Sequence, residues 1–265
     1  MPLSRLSGIR PLSSGRGRTL GAMTVPARPD RPVAVVTGGT RGIGRAIAED
    51  LAPRHHVVIG GRSEESVDRV AQGLPSAEGF VADLRDCGPG GSLDSALRGL
   101  VERLPRVGVL VHSAGVLHRG RIADLSVDDW DTAMRVNLIA VAAITRALLP
   151  ALRAAHGLVV AINSGAGLTS APTMGPYSAS KFALRAFTDA LREEERSSGV
   201  RVTSIHPGRV DTDMQQEMID FEGGSYRPDD YLRVESVVRA VRLAVDATDE
   251  ACIDQVSVRP RGFPG

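Results

Sequence analysis

A tyrosine and a lysine stand four residues apart in the stretch PYSASKFAL, residues 176–184. On a helix this spacing places Tyr177 and Lys181 on the same face. A phenol with an ordinary pKa of about 10 is a poor base at neutral pH, and an ammonium group one turn away favours the phenolate. The pair therefore predicts a proton-transfer site, where the hydroxyl of Ser164 could hold a developing alkoxide oxygen in place.

Lys181 is the only lysine among the 32 lysine and arginine residues of the chain. On a surface, arginine replaces lysine at little cost. At a site between a phenol and a ribose the exchange is not conservative, because a planar guanidinium does not deprotonate and a compact ammonium does. We interpret the retained lysine as a requirement of the site.

Short apolar segments alternate with helical patterns along the chain, which is typical of a parallel sheet covered on both faces. We therefore predict an α/β, doubly wound Rossmann fold with a seven-stranded parallel sheet and helices on both faces, as a single domain over residues 32–260. Ligands of such sheets bind at the carboxyl ends of the strands. The predicted strands are residues 33–37, 56–60, 79–83, 107–113, 157–164, 201–207 and 252–258, and the predicted helices lie near 43–51, 64–72, 92–103, 126–154, 176–197 and 235–246.

The first 31 residues differ in composition from the rest. They are rich in Ser, Gly, Pro and Arg and lack apolar periodicity. Their net charge is +5; because the net charge of the whole chain is +1, the remaining residues sum to −4. We predict a disordered extension over residues 1–31, with translation starting at Met23 or an organellar transit peptide as alternative interpretations. A body with net negative charge and no basic run argues against nucleic-acid binding.

Composition also limits the other classes of partner. Cys87 and Cys252 fit no metal-ligand spacing and no disulfide framework, which predicts a cytoplasmic protein without a metal. No apolar run approaches the roughly 18 to 20 residues that a bilayer requires, so we predict no membrane partner.

The first predicted strand runs into the glycine-rich turn TGGTRGIG, residues 37–44, and then into a helix. Glycines 38, 42 and 44 allow a tight turn, close approach of a pyrophosphate and packing of helix on strand. The helix N-terminus presents N–H groups and partial positive charge to phosphates. The turn predicts a dinucleotide site.

The second predicted strand ends in VVIGGRS, where folds of this kind that prefer NAD place an acid on the ribose hydroxyls. Here that position is Gly61, and Arg62 and Arg41 could pair with a 2′-phosphate. We therefore predict that NADP(H) is preferred over NAD(H). After the third strand, Asp83 and Leu84 are placed to meet the edge and face of an adenine.

Taken together, these motifs resemble the short-chain dehydrogenase/reductase family, in its single-domain branch, over about residues 32–258. The matching features are TGGTRGIG, the Asp83 turn, SAG at 113–115, Asn137 in MRVNLIA, Ser164, YSASK, and HPGRVDTDM at 206–214.

The resemblance implies a role for each of four residues. Tyr177 is the acid–base, Lys181 its electrostatic partner and a ribose ligand, and Ser164 the ligand of the substrate oxygen. Asn137 is implied to hold a water that links Lys181 to solvent in a proton relay. The cofactor-binding set, besides Tyr177 and Lys181, is then Gly38, Thr40, Arg41, Gly42, Ile43, Gly44, Arg62, Asp83, Leu84, Ser113, Ala114, Gly115, Pro207, Gly208, Val210 and Thr212, of which the last four border the nicotinamide.

One position departs from the family pattern, which commonly has two asparagines where this chain has His112 and Ser113. We expect local sheet bonding to differ there. A hydrogen-bonded structural role for His112 is favoured over an extra acid–base.

Substrate choice is expected to lie in residues 165–175 and 211–231. In the second segment Met214, Met218, Ile219 and Phe221 form an apolar stripe at near-helical spacing, which fits either plain packing or a mobile cover. It predicts a partly apolar substrate.

These observations predict an NADP-dependent oxidoreductase that interconverts a ketone or aldehyde and an alcohol. An NAD-dependent alcohol dehydrogenase of the same family and a dinucleotide-sensing protein without turnover are the alternatives; an epimerase or dehydratase would need a larger C-terminal domain. By resemblance, the long helices 126–154 and 176–197 predict a homodimer or homotetramer.

Overall fold

The computed structural model describes residues 31–261. Apart from Arg31, the predicted N-terminal extension lies outside the described residues. The strands are β1 (Val33–Thr37), β2 (His56–Gly61), β3 (Ala77–Val81), β4 (Val109–His112), β5 (Leu158–Ile162), β6 (Arg201–Pro207) and β7 (Gln255–Val258). The helices are α1 (Gly42–Leu51), α2 (Glu64–Gln72), α3 (Ser92–Arg103), α4 (Val127–Met134), α5 (Ala140–Ala155), α6 (Gly175–Glu195), α7 (Asp213–Glu222) and α8 (Val234–Val245).

All seven strands pair in parallel, in the order β3-β2-β1-β4-β5-β6-β7. The order changes direction between β1 and β4, so the chain leaves these two neighbouring strands towards opposite faces of the sheet. Such a switch point opens a crevice at the carboxyl ends of the strands. The predicted doubly wound Rossmann fold is confirmed.

The sheet is covered on both faces by apolar layers. On β1, Ala34 and Val36 pack with α1 and α8, whereas Val33 and Val35 pack with α3 and α5. Alternate residues of a strand point to opposite faces, so a strand buried on both sides must be apolar throughout. This accounts for the continuous run VAVVT and explains why a short apolar segment, with no alternation of polar residues, marks the strand.

Two elements differ from the sequence prediction. The helix predicted over 126–154 is divided into α4 and α5 by a π-helical segment, Arg135–Ile139, which contains Asn137. The helix α7 was not among the predicted helices, although the apolar stripe lies within it. Its N-cap is Thr212, whose hydroxyl accepts a hydrogen bond from the Gln215 amide, a capping signal that a single threonine does not reveal in the sequence.

One stretch corrects the expectation that no segment reaches membrane-spanning length. Among residues 31–261, Val127–Ala155 is long and apolar enough to cross a bilayer by length and composition, with a hydropathy of 1.6. However, Ile144, Leu148 and Leu152 of this stretch are buried in the core beside the sheet. Packing of α5 against the sheet accounts for its apolar composition.

The turn after β1 leaves no room for a side chain at its last glycine. A Cβ on Gly44 would overlap the carbonyl oxygen of Gly38 and lie 3.1 Å from Oγ of Ser113. Gly44→Ala should therefore lower the free energy of unfolding by about 1–3 kcal/mol, measured by urea denaturation. Gly88→Ala is the matched control, because a Cβ there meets no atom within 4 Å. Equal stability of the two variants would contradict the tight packing of this turn.

Candidate active site

A cavity of about 850 Å³ opens at the carboxyl ends of the strands. Its walls come from the segments after β1 to β7, together with the first turns of α6 and α7. Every site residue predicted from the sequence lines it except Asn137. The volume is ordinary for a cofactor or ligand pocket.

Hydrogen bonds join the turns after β1 and β4 at the bottom of the cavity. The hydroxyl of Thr37 accepts hydrogen bonds from the amides of Ser113 (3.2 Å) and Ala114 (3.3 Å). Gly38 has φ +65°, and a Cβ there would come within 2.7 Å of the Ala114 backbone. Glycine is thus required at this position both by conformation and by close approach.

The N-terminus of α1 faces this turn without a side-chain cap and without an acid in its first turn. Its first backbone N–H groups lack intrahelical partners and carry the positive end of the helix dipole. Gly42, with φ +53°, adds no bulk, since a Cβ there would meet only Thr212 at 3.8 Å. These features fit the pyrophosphate of a dinucleotide cofactor.

At the end of β2 the structure excludes an acidic side chain. A Cβ on Gly61 would lie 2.6 Å from Val67 and 2.7 Å from Thr40, so glycine is needed there. The neighbouring Arg62 lines the cavity and forms no ion pair with any residue of 31–261. Arg41, by contrast, pairs with Asp213 at 3.0 Å. Both partners are exposed, so this pair is weak and Arg41 is free to exchange partners.

The Asp83 carboxylate is engaged by Arg85 at 2.6 Å, and this contact lowers the pKa of Asp83. Leu84 lines the same part of the cavity. Both carboxylate oxygens accept hydrogen bonds from Arg85, so the amino group of an adenine would have to share them with that residue.

The three predicted chemical groups converge at the other end of the cavity. Tyr177 and Lys181 are buried in α6, which starts with Pro176 in its first turn, and Ser164 directly precedes the short 3₁₀ turn Gly165–Gly167. Burial raises the pKa of Tyr177, and a hydrogen bond with Ser164 opposes that rise. A phenol with a raised pKa stays protonated at neutral pH.

Lys181 is only 4% exposed. Its Nζ donates to the carbonyl oxygen of Ile162 at 3.0 Å and lies 5.7 Å from the centroid of the Tyr177 ring. Because burial disfavours the charged form, the pKa of Lys181 falls to about 8. The hydrogen bond with Ser164 is thus the contact that opposes the rise in the Tyr177 pKa, while the amine of Lys181 donates to a backbone carbonyl; the electrostatic effect of Lys181 on Tyr177 stays a prediction.

Asn137 is fully buried behind the cavity. Its Oδ1 accepts from the Val116 amide at 2.9 Å, and its Nδ2 donates to the Val116 carbonyl at 3.0 Å and to Ser180 Oγ at 2.9 Å. The side chain thus joins the loop after β4 to α6, with both of its N–H groups donating and its Oδ1 accepting one hydrogen bond. Asn137 lies in a π-helical segment, and such interruptions of an α-helix are frequent at functional sites.

His112, the residue that departs from the family pattern, does not line the cavity. Its Nε2 hydrogen-bonds with Thr145 Oγ1 at 2.9 Å, and complete burial lowers its pKa to about 3. It is therefore a neutral residue that joins β4 to α5. The predicted structural role is confirmed.

The helix α7 covers the cavity and is held down at its end by charges. Arg119 pairs with Glu222 at 2.9 Å and donates to Thr173 at 3.1 Å, and Arg209 also pairs with Glu222 at 2.9 Å. Nothing in the sequence points to this cluster, because its members come from three separate loops and the end of α7 and share no motif. Met214 and Met218 of α7 line the cavity, whereas Phe221 is exposed beneath the Arg119 guanidinium at 4.8 Å.

Arg259 is a second residue that the sequence analysis missed. It follows β7 directly and lines the cavity near Gly165 and Gly208. No signal in the sequence distinguishes it from the other arginines.

Comparison with known proteins agrees with this geometry. Residues 32–223 match the family described as short chain dehydrogenase. An uncharacterized oxidoreductase of Staphylococcus epidermidis is 31% identical over 236 residues, which cover 88% of this chain and 99% of that protein. The chain belongs to the short-chain dehydrogenase/reductase family. It is an NAD(P)-dependent oxidoreductase.

Two solved structures of short-chain dehydrogenases are similar throughout the domain. An alcohol dehydrogenase of the archaeon Thermococcus sibiricus, complexed with 5-hydroxy-NADP, is 27% identical with a TM-score of 0.76, over 87% of this chain and 97% of that one. A metagenomic short-chain oxidoreductase in complex with NADP is 30% identical with a TM-score of 0.73, over the same shares.

The single lysine allows its ionisation to be followed directly. Burial lowers the pKa of Lys181 from 10.5 to about 8, so the unfolded chain binds more protons between these values and stability rises with pH across that window. Protein labelled with ¹³C at lysine Cε should give one NMR signal that titrates near pH 8, and near 10.5 in urea. The rise in unfolding free energy should be absent in Lys181→Met. A folded-state midpoint near 10.5 would contradict the buried position of the amine.

Proposed function

We propose that this enzyme interconverts a ketone or aldehyde and an alcohol, with NADP(H) preferred over NAD(H). The observation that carries the proposal is the convergence of Ser164, Tyr177 and Lys181 in the cavity that also contains the glycine turn. A proton donor, an oxygen ligand and a buried cation are the groups that reduction of a carbonyl requires.

Each group has a separate task. The nicotinamide, when bound, supplies a hydride in reduction and accepts one in oxidation. The Tyr177 hydroxyl donates its proton to the substrate oxygen, and the Ser164 hydroxyl holds that oxygen during the transfer. Lys181 stabilises the phenolate that remains and binds a ribose hydroxyl. The other cofactor ligands are those predicted from the sequence.

The protonation states favour reduction at neutral pH. Burial raises the pKa of Tyr177, so the phenol is ready to donate a proton. The pKa of Lys181 is about 8, so its ammonium form prevails at neutral pH and compensates the phenolate charge. Asn137 supports the predicted proton relay between Lys181 and solvent through its position. Its hydrogen bonds to Val116 and Ser180 hold the loop after β4 against α6 beside Lys181.

The NADP preference rests on three observations. Gly61 leaves no room for the acid that would repel a 2′-phosphate, and the guanidinium of Arg62 has no ion-pair partner within residues 31–261. Both solved relatives described above hold an NADP form. Arg41, which is paired with Asp213, is a weaker candidate for the phosphate.

We also propose a homodimer or homotetramer. Ile139, between α4 and α5, is 45% exposed, and Phe182 of α6 is 42% exposed. Large apolar side chains on the two long helices are costly in water and suit an interface between copies.

Removal of the Tyr177 hydroxyl tests the reaction. NADPH consumption over a panel of ketones, aldehydes and quinones should fall by at least about 10²-fold in Tyr177→Phe, the scale of a lost acid–base group. Thermal unfolding should confirm that the fold is retained, since the ring still fills its site. Equal turnover by wild type and Tyr177→Phe on every active substrate would refute the assignment.

Arg62→Gln tests the choice of cofactor. A charged hydrogen bond of about 1.5–3 kcal/mol corresponds to a ten- to hundredfold loss of kcat/KM for NADPH, while kcat/KM for NADH should stay unchanged. Arg69→Gln is the matched control, since Arg69 pairs with Glu65 on the exposed side of α2 and does not line the cavity. If wild type uses NADH as efficiently as NADPH, the preference itself is wrong.

A further inference from the structure

Six cationic side chains line the cavity, and they differ in whether their charge is engaged. Four of them have partners: Arg41 with Asp213, Arg85 with Asp83, Arg209 with Glu222, and Lys181 with the carbonyl of Ile162. The other two, Arg62 and Arg259, form no ion pair with any residue of 31–261. They lie at opposite ends of the site, Arg62 beside the ribose position and Arg259 beside Ser164.

The sheet itself positions Arg259. The last residue of β7, Val258, pairs in register with Pro207 of β6, and its carbonyl accepts from the Gly208 amide at 2.7 Å. Pro260 fixes the backbone on the other side and favours an extended conformation at Arg259. The stem of Arg259 passes Gly208, with Cδ 3.6 Å from where a Cβ on that glycine would lie.

The guanidinium then reaches the turn after β5. A Cβ built on Gly165 would overlap Nη1 of Arg259 and lie 3.2 Å from its Cζ, so the guanidinium occupies the space that a side chain there would fill. Gly165 follows Ser164 directly, and successive Cα atoms are about 3.8 Å apart. Ser164 and Arg259 both line the cavity, so the charge lies on the cavity wall beside the residue that follows the proposed ligand of the substrate oxygen.

The rest of this end of the cavity is free of acids. Only two acidic residues line the cavity within the described chain, Asp83 and Asp213, and both are neutralised by arginines. Apart from the polar residues Asn163, Arg209 and Gln215, much of the remaining lining of the substrate region is apolar or small, with Leu117, Met174 and Met218 among it. An unpaired guanidinium in a cavity whose two acids are already paired with arginines attracts an anion.

We propose that Arg259 is a specificity-determining residue that binds an anionic group of the substrate, a carboxylate or a phosphate. This inference rests on the function proposed above and names its substrate class: a carbonyl compound or alcohol with an anionic oxygen group a few bonds from the reacting carbon and an apolar remainder. Guanidinium suits both groups, because its parallel N–H donors match two oxygens at once.

Paired probes test the charge alone. We would measure kcat/KM with NADPH for 2-, 3- and 4-oxo acids, each beside its methyl ester, and for dihydroxyacetone phosphate beside dihydroxyacetone. In wild type, kcat/KM should be at least tenfold higher for the anion than for its neutral partner in one or more pairs. A preference among the oxo acids indicates a carboxylate substrate, and a preference for dihydroxyacetone phosphate indicates a phosphate. Arg259→Gln should remove that preference, Arg259→Lys should retain part of it, and activity on the neutral member should stay within about twofold.

Arg261→Gln is the matched control, because Arg261 is an exposed arginine two residues further on that does not line the cavity. The KM for NADPH should be the same in all variants. The proposal is overturned if no anion is preferred by wild type, if Arg259→Gln leaves the preference intact, or if its effect falls on the KM for NADPH instead, which would make Arg259 a cofactor ligand.

A binding measurement separates this proposal from the reaction. Calorimetry on Tyr177→Phe with NADPH should show that the favoured anion binds at least tenfold more tightly than its neutral partner, and that the added change Arg259→Gln abolishes the difference. If wild type consumes NADPH with no probe while this difference holds, the proposed reaction fails and the anion site stands. If neutral ketones are reduced but neither readout depends on Arg259, only the anion site fails.

Discussion

The burial of one amine is the constraint on which the active site depends. Lys181 is 4% exposed, and a charged group is costly at such a position unless it is compensated. The carbonyl of Ile162, at the end of β5, accepts its hydrogen bond at 3.0 Å. This contact requires β5 and α6 to meet in one register, and the same register sets the Ser164 hydroxyl against Tyr177.

The arrangement around the amine serves chemistry at the expense of stability. A buried lysine whose pKa has fallen to about 8 weakens the fold at neutral pH, because the unfolded chain holds that proton more tightly. Asn137, with its side chain bonded to Val116 and Ser180, holds the neighbouring loop against α6.

The distribution of engaged and free charges divides the cavity into regions. Ion pairs close its sides, through Arg41 with Asp213 and Arg119 with Glu222, and the latter pair holds α7 over the substrate region. Arg62 and Arg259 are left without ion pairs among the described residues. Two guanidinium groups without ion-pair partners among the described residues fit the anionic cofactor and the anionic substrate proposed above.

Local sequence determined the sheet, the glycine turn and the trio Ser164, Tyr177 and Lys181. Strands buried on both faces need continuous apolar runs. Glycine is required where φ is positive or where two backbones are in contact. Neighbouring residues in the sequence are therefore enough to predict each of these features. The family resemblance added the role of Asn137, for which its own surroundings in the sequence carry no sign.

Only the tertiary structure shows which charged side chains form ion pairs. The sequence could not show that Arg41 meets Asp213, that Glu222 holds Arg119, or that Arg259 reaches Gly165, because these pairs are separated by many residues and surface arginines are common in this chain. It could not show that Lys181 turns to the Ile162 carbonyl either. Pairing and burial depend on distances across the folded sheet, and it is burial that sets the pKa values of Tyr177 and Lys181.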